Sequence, residues 1–298
     1  MISDLPQEWK VSLEDILKDN TSGSTTMIGK VTRLLMEMED NGLKDRMKRD
    51  VLREIISVHC SMAGLVNLTD RILRAADEGE NMTELLEREK QKRASDLSKL
   101  VGNAVEKTLS ASRIVTISNS STIIEILTAS HQKGAAKEIV ISEARPAMEG
   151  RLAARELASK GLKVTMVADG ALPQETKWAD IVLVGADSVT DQGVVNKIGT
   201  LGVVSAAGET GVPSISAFNI DKLIASGYSP FTRVPHPPVE LMEPERGIDV
   251  LNYYFDETPL ELFTSFMTEE GELESSDVLE RIGQKELHPE LTEILVEK

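Results

Sequence analysis

Four short polar clusters carry residue types that could bind or transform a small ligand, and each of them follows or interrupts an apolar run. The first is Ser118-Asn119-Ser120-Ser121, small hydroxyl residues placed just ahead of a helical pattern. Free N–H groups at a helix start suit an anionic phosphate, although Ser and Thr there also serve as ordinary N-caps. The second is Ser142-Glu143-Ala144-Arg145-Pro146, followed by Glu149-Gly150. Arg145 could grip a carboxylate or phosphate through its planar fork, or pair with Glu143 or Glu149 instead. The third is Gly185-Ala186-Asp187-Ser188, in which Asp187 can serve as a general acid or base if its surroundings raise its pKa. The fourth, Asn196-Lys197-Ile198-Gly199-Thr200, offers an amide and a cation before a helix opening at Gly199-Thr200. That pair fits a sugar hydroxyl plus a phosphate; a solvated Asp187–Lys197 pair is the alternative.

The elements around these clusters explain why they should converge. After Ser110, short β-rich runs alternate with helical stretches. The strands are expected at Ile114 to Ile117, Glu138 to Ile141, Val164 to Val167, Ile181 to Val184 and Ser214 to Ala217. Helices are expected at Thr122 to Gln132, Arg151 to Lys160 and Leu201 to Glu209. Such alternation implies βαβ units and a mainly parallel sheet covered on both faces, a Rossmann-like α/β domain over residues 111–298. The continuous apolar run Ile181-Val182-Leu183-Val184 suits a central strand buried on both sides. Ligands of such sheets sit beyond the carboxyl ends of the strands, where the polar clusters lie.

Residues 1–110 have a different period and predict a helical N-terminal domain. Met27, Val31, Leu34, Leu35 and Met38 fall on one helical face, and Met47, Val51, Ile55, Val58 and Met62 on another. A third helix opens near Thr83-Glu84 and later carries Leu97, Leu100 and Val101. These stripes predict packing. Beyond Asn219 the chain is rich in turns, and from Glu269 to Lys298 it is acidic, with a helix expected at its end.

Composition excludes several functions. Acidic residues outnumber basic ones, 49 to 33, and the net charge of −16 disfavours direct nucleic-acid binding. No apolar run approaches the roughly 20 residues that cross a bilayer, so no membrane partner is expected. Met1-Ile2-Ser3-Asp4 lacks the basic and apolar regions of a signal peptide, which predicts a cytoplasmic location. Cys60 is the sole cysteine and no histidine falls in the polar clusters, so neither a metal site nor another cofactor is expected.

The wording of the clusters adds a resemblance. The stretch VGADSVTDQGVVNKIGT, from Val184 to Thr200, is similar to the signature of the initiation factor 2B-related family. The agreement includes the SEARP loop from Ser142 to Pro146 and FDETPLELFTSFMTEEG from Phe255 to Gly271. That family contains regulatory subunits of the exchange factor for initiation factor 2, methylthioribose-1-phosphate isomerase and ribose-1,5-bisphosphate isomerase. The resemblance places a Gly-containing ligand loop at Ser22-Gly23-Ser24-Thr25, which makes Gly23 and Ser24 ligand-binding candidates beside Arg145, Asn196 and Lys197.

For the isomerases the resemblance implies a catalytic pair, a cysteine after the first strand and the aspartate of the GAD motif. Asp187 is present, but the cysteine position carries Ser118. A serine hydroxyl is far less acidic than a thiol and needs an adjacent base. Glu149 stands where isomerases tend to have glutamine, and Ser22 stands near an arginine position of the methylthioribose-1-phosphate branch. The expectation is a binding or regulatory protein with a retained pocket for a sugar phosphate or nucleoside monophosphate, with a sugar-1-phosphate aldose–ketose isomerase as the alternative. The resemblance further implies a homodimer and initiation factor 2 as a protein partner.

Overall fold

The computed structural model describes residues 5–19, 22–136, 138–228 and 234–296; Met1 to Asp4 and the final Glu297 and Lys298 lie outside the described residues. The chain opens with five helices, α1 (Gln7–Lys18), α2 (Ser24–Asp40), α3 (Asp45–Val58), α4 (Ala63–Glu78) and α5 (Met82–Thr108). Met27, Val31, Leu34, Leu35 and Met38 are buried along α2, as their three- and four-residue steps require. In α3 the buried face is instead Lys48, Val51, Leu52, Ile55 and Ile56. Val58 is exposed and Met62 belongs to the start of α4, because α3 ends at Val58 and the helical period does not run across the break.

A seven-stranded sheet follows, built on β1 (Arg113–Thr116), β2 (Glu138–Ser142), β3 (Lys163–Val167) and β4 (Ile181–Val184). Between them run α6 (Ser121–Gln132), α7 (Gly150–Ser159) and a single turn, α8 (Leu172–Glu175). A small separate sheet holds β5 (Ser188–Val189) and β6 (Val194–Lys197). Next come α9 (Thr200–Thr210), β7 (Ser214–Ala217), β8 (Phe255–Thr258) on the small sheet, β9 (Ser265–Thr268) and β10 (Gly271–Leu273). The large sheet has the order β10-β9-β7-β4-β1-β2-β3, parallel except for the β10–β9 pair. Ile181 and Leu183 face one core and Val182 and Val184 the other, so β4 is buried on both sides.

The five expected strands fall within a residue of their bounds, but β5 and β6 lie where only polar loops are expected, so that Asn196 and Lys197 stand on a strand. β8 and β9 lie in the stretch expected as turns and β10 in the acidic stretch, because their Thr, Ser and Glu residues hide the strand period. The chain closes with α10 (Ser275–Gly283) and α11 (Pro289–Val296). Leu291 and Leu295 of α11 return to the core of the N-terminal helices. Among the described residues no helix is long and apolar enough to cross a membrane.

The sheet order fixes where a ligand can sit. From β1 the chain winds outward through β2 and β3, then returns to β4 on the other flank of β1, pairing Ile114 with Ile181 and Val115 with Val182. The crevice between β1 and β4 is therefore the switch point of the sheet, and Ser118 and Asp187 follow the two strands that border it.

Candidate functional site

A cavity of about 160 Å³ opens at this switch point, between the strand ends and the helices α2, α4 and α5. Two glycines allow the loops to close on it. A side chain on Gly185 would meet Ser120 Oγ at 2.9 Å, so only glycine lets the end of β4 approach the start of α6 this closely. A side chain on Gly150 would lie 2.0 Å from the carbonyl oxygen of Ser142, so α7 can start against the end of β2 and carry Glu149 over the cavity.

One wall of the cavity is closed electrostatically. Lys197 Nζ lies 2.7 Å from Glu149 Oε1, with the lysine side chain 3% exposed and that of the glutamate 14%. The Ser118 hydroxyl donates to the same carboxylate oxygen at 3.2 Å. Its backbone is in the left-handed region (φ 69°), which few non-glycine residues adopt. The Lys197 ammonium also stands 4.9 Å from the Tyr254 ring centroid, and that ring stacks on His236 at 3.6 Å. Beside this group Asn196 is buried and donates to Thr200 Oγ1 at 3.1 Å. The start of α9 is closed as well: one carboxylate oxygen of Asp256 accepts from the Gly199 and Leu201 amides at 2.7 and 3.2 Å. Those amides have a protein anion and are not free for a ligand.

The opposite wall is open. Asp187 is half-buried and its pKa is raised, mainly by burial, with Lys222 and Lys197 opposing the shift and Glu149 reinforcing it. Burial lowers the pKa of Lys222, against the pull of Asp187 and Asp221. Arg93 reaches the cavity from α5, and its enclosed Nη1 has no hydrogen-bond partner among the described residues. Ser24, first residue of α2, is 4% exposed, and its hydroxyl also lacks a partner.

Helices of the N-terminal layer hold this wall in place. The Ala63 amide of α4 donates to the Asp187 carbonyl at 3.2 Å. Asn67 donates to the carbonyls of Asp221 and Leu223 at 2.7 and 2.8 Å. Arg71 grips both Asp221 oxygens, at 2.7 and 2.8 Å, and Glu89 at 2.9 Å. Lys222 is thereby fixed between two anchored neighbours.

Of the residues singled out in the sequence, Gly23, Ser24, Ser118, Asp187, Asn196 and Lys197 all line the cavity. Arg145 does not. Its backbone N–H, with that of Ala144, is captured by Asp169 at 2.9 and 2.8 Å, and its exposed side chain turns away to the Glu240 carbonyl at 3.5 Å. The arginine that pairs with Glu143 is Arg151, at 2.6 Å. Arg93 and Lys222 also line the cavity and carry no sequence signal comparable to the polar clusters, since one lies in a charged helical run and the other in a turn.

The chain is similar to known proteins over most of its length. A family model described as the initiation factor 2 subunit family matches residues 21–275. A Pyrococcus furiosus protein described as translation initiation factor eIF-2B subunit 2-like is 29% identical over 276 residues, spanning 90% of this chain and 96% of its own. The ribose 1,5-bisphosphate isomerase of Methanocaldococcus jannaschii is 26% identical over 249 residues, 80% of each chain. Among solved structures, the translation initiation factor eIF-2B of Pyrococcus horikoshii superposes with a TM-score of 0.78 at 22% identity, over 90% of this chain and 98% of that one, a likeness of fold.

Proposed function

The chain belongs to the initiation factor 2 subunit family, and we propose that within it this protein binds a phosphorylated sugar or nucleoside monophosphate without isomerising it, as a regulatory member. The observation that carries this reading is the state of Ser118. A sugar isomerase moves a proton between neighbouring carbons, which needs a positioned acid and a positioned base. Asp187, its pKa raised by burial, has the character of one. Ser118 has a carboxylate neighbour in Glu149, but that carboxylate is already committed to Lys197. The ammonium occupies the same oxygen that Ser118 approaches, and a serine hydroxyl, far less acidic than a thiol, needs a free adjacent base. In this reading the protein acts in the cytoplasm as a homodimer, with initiation factor 2 as its protein partner. The eIF-2B-like relative supports that role.

The isomerase reading is supported by Asp187 and by the ribose 1,5-bisphosphate isomerase relative. One experiment separates the two. Wild type, Ser118→Cys, and Ser118→Cys with Asp187→Asn are assayed with ribose 1,5-bisphosphate and methylthioribose 1-phosphate, alongside a melting-temperature panel of sugar phosphates and nucleoside monophosphates. The binding reading expects a ligand-induced rise in melting temperature and little wild-type turnover. It also expects turnover to appear with the cysteine and to vanish in the double variant. A missing positioned acid–base group forfeits a factor of about 10² to 10⁴. Robust wild-type turnover abolished by Asp187→Asn alone would establish the isomerase.

A further inference from the structure

The closed wall restricts what kind of group a ligand can bring to it. The Lys197 ammonium and the Ser118 hydroxyl meet on a single oxygen, Glu149 Oε1, at 2.7 and 3.2 Å. All three residues line the cavity. The other carboxylate oxygen, Oε2, is enclosed without a partner among the described residues, so hydrogen bonds offset only part of the Glu149 charge. That charge is felt at Asp187, where Glu149 adds to the rise in pKa that burial causes and that Lys222 and Lys197 oppose. The main chain carrying Glu149 is pinned as well. The Gly150 amide donates to the Glu143 carbonyl at 3.1 Å, in the close approach of α7 to the end of β2. The helix start that follows Lys197 already has its anion in Asp256.

We propose that Glu149 is a specificity-determining residue, which lets this wall take the uncharged hydroxyls of a ligand and makes it refuse a second anionic group. The proposal rests on the reading that the cavity binds a phosphorylated sugar or nucleotide, and it narrows that class to monophosphates. A second phosphate could reach Lys197 only by displacing Glu149, which would leave a mostly buried carboxylate without its cation. If Glu149 stays, the phosphate meets a like charge in a partly enclosed site, where water screens it poorly. A hydroxyl is neutral and can donate to the Ser118 oxygen or to Asp187 without disturbing the pair. Selection at this wall therefore comes from a repulsive element built into the cavity. Glu149→Gln keeps an oxygen for the ammonium and the serine hydroxyl while removing the charge, and so makes Lys197 available to an anion.

The test uses the full chain and titration calorimetry with matched pairs of probes. Adenosine 5′-monophosphate is compared with adenosine 3′,5′-bisphosphate, and ribose 5-phosphate with ribose 1,5-bisphosphate. The variants are Glu149→Gln, and Glu149→Gln combined with Lys197→Gln, each checked for its unliganded melting temperature. Wild type should bind at least one monophosphate, and the matching bisphosphate at least fivefold more weakly. In Glu149→Gln that ratio should move at least tenfold toward the bisphosphate. In the double variant it should return to within threefold of wild type, because the cation is gone. If Glu149→Gln fails to fold, the wild-type ratio decides. A bisphosphate that binds wild type within fivefold of its monophosphate, or more tightly, would overturn the proposal and leave phosphate binding standing. So would a ratio that Glu149→Gln leaves unchanged, or a shift that persists in the double variant. Failure of every probe to bind wild type would overturn both this proposal and the function on which it rests.

Discussion

The two walls of the cavity are lined by similar residue types in opposite states. On the β6 side, Lys197 and Ser118 both hold Glu149 Oε1 and Asp256 caps the helix start, while Glu149 Oε2 and Asp256 Oδ1 are enclosed without a partner among the described residues. On the α5 side, Arg93, Lys222 and Ser24 retain unused hydrogen-bonding or ion-pairing capacity among the described residues. The difference teaches that the presence of a cation in a pocket says little about ligand binding until its partners are counted. A paired cation holds the wall together, whereas a cation without a partner is a place for an anion. Substitutions should therefore act mainly on stability at the first wall and on binding at the second.

The sharpest test of the closed wall is Lys197→Ala. Removing one partner of a buried pair leaves the other charge uncompensated, which typically costs about 3–5 kcal/mol. Urea unfolding should show a loss of that size, and adding Glu149→Gln should recover a large part of it by removing the stranded charge. A Lys197→Ala variant as stable as wild type would mean that the wall is not held by this pair.

The support of the open wall can be broken next. Arg71→Met removes the bidentate grip on Asp221 and the bond to Glu89. Bonds to charged groups contribute about 2 kcal/mol, and the loss should appear in the midpoint of urea unfolding. It should also weaken any phosphorylated ligand, since Lys222 follows directly on Asp221. Lost stability with unchanged binding would mean that the turn holds Lys222 in place without Arg71.

The contrast between the walls also marks how far the sequence could be read. Period and polarity located the main parallel strands, since Ile181 to Val184 is apolar throughout and the helices flanking it carry clear stripes. The same pattern puts Ser118 and Asp187 after the first and fourth expected strands, and the return of the chain to the other flank of β1 makes those strands neighbours. Pairing state was not legible. Lys197 read as a free cation because Glu149, its partner, arrives from a different loop through the close approach that Gly150 permits. Arg93 lies among Arg88, Glu89, Lys90 and Lys92, a run that reads as a solvated helix face. Its direction is set by how the 27-residue α5 crosses the strand ends, a tertiary fact without a local signal. Arg145 had the better sequence context, yet Asp169 captures its backbone and its side chain faces solvent.

A pH series tests the cap behind the closed wall. One oxygen of Asp256 caps α9, while Oδ1 is enclosed without a partner, and burial pushes the carboxyl pKa up to about 6 from 3.8. A raised folded-state pKa means that the native protein holds this proton more tightly than the unfolded chain does. The stabilisation is fully present below about pH 4 and is lost as pH rises through about 6. Asp256→Asn keeps an acceptor for the two amides and does not titrate. Its stability relative to wild type should rise between pH 4 and pH 7, by on the order of 1 kcal/mol. A difference independent of pH would assign the pH response to other groups.

Ser24→Ala carries the smallest effect, and its sign is what separates the walls. The Ser24 hydroxyl is enclosed at the start of α2 and makes no hydrogen bond among the described residues. A buried polar group left unsatisfied carries a desolvation cost, and replacing it with hydrogen removes that cost while exposing almost nothing. No side-chain cap on the helix is lost, because this residue sits inside the first turn and Gly23 is the N-cap. The empty variant should therefore be as stable as wild type or more so, by roughly 0.5 to 1 kcal/mol in chemical denaturation. The same substitution should weaken a phosphorylated probe several-fold if Ser24 meets the ligand, since it lines the cavity proposed to hold it. Lys197→Ala would damage the empty protein, whereas Ser24→Ala should improve it while impairing the occupied one. If Ser24→Ala instead destabilises the unliganded protein and leaves binding unchanged, the hydroxyl serves the fold and not the ligand.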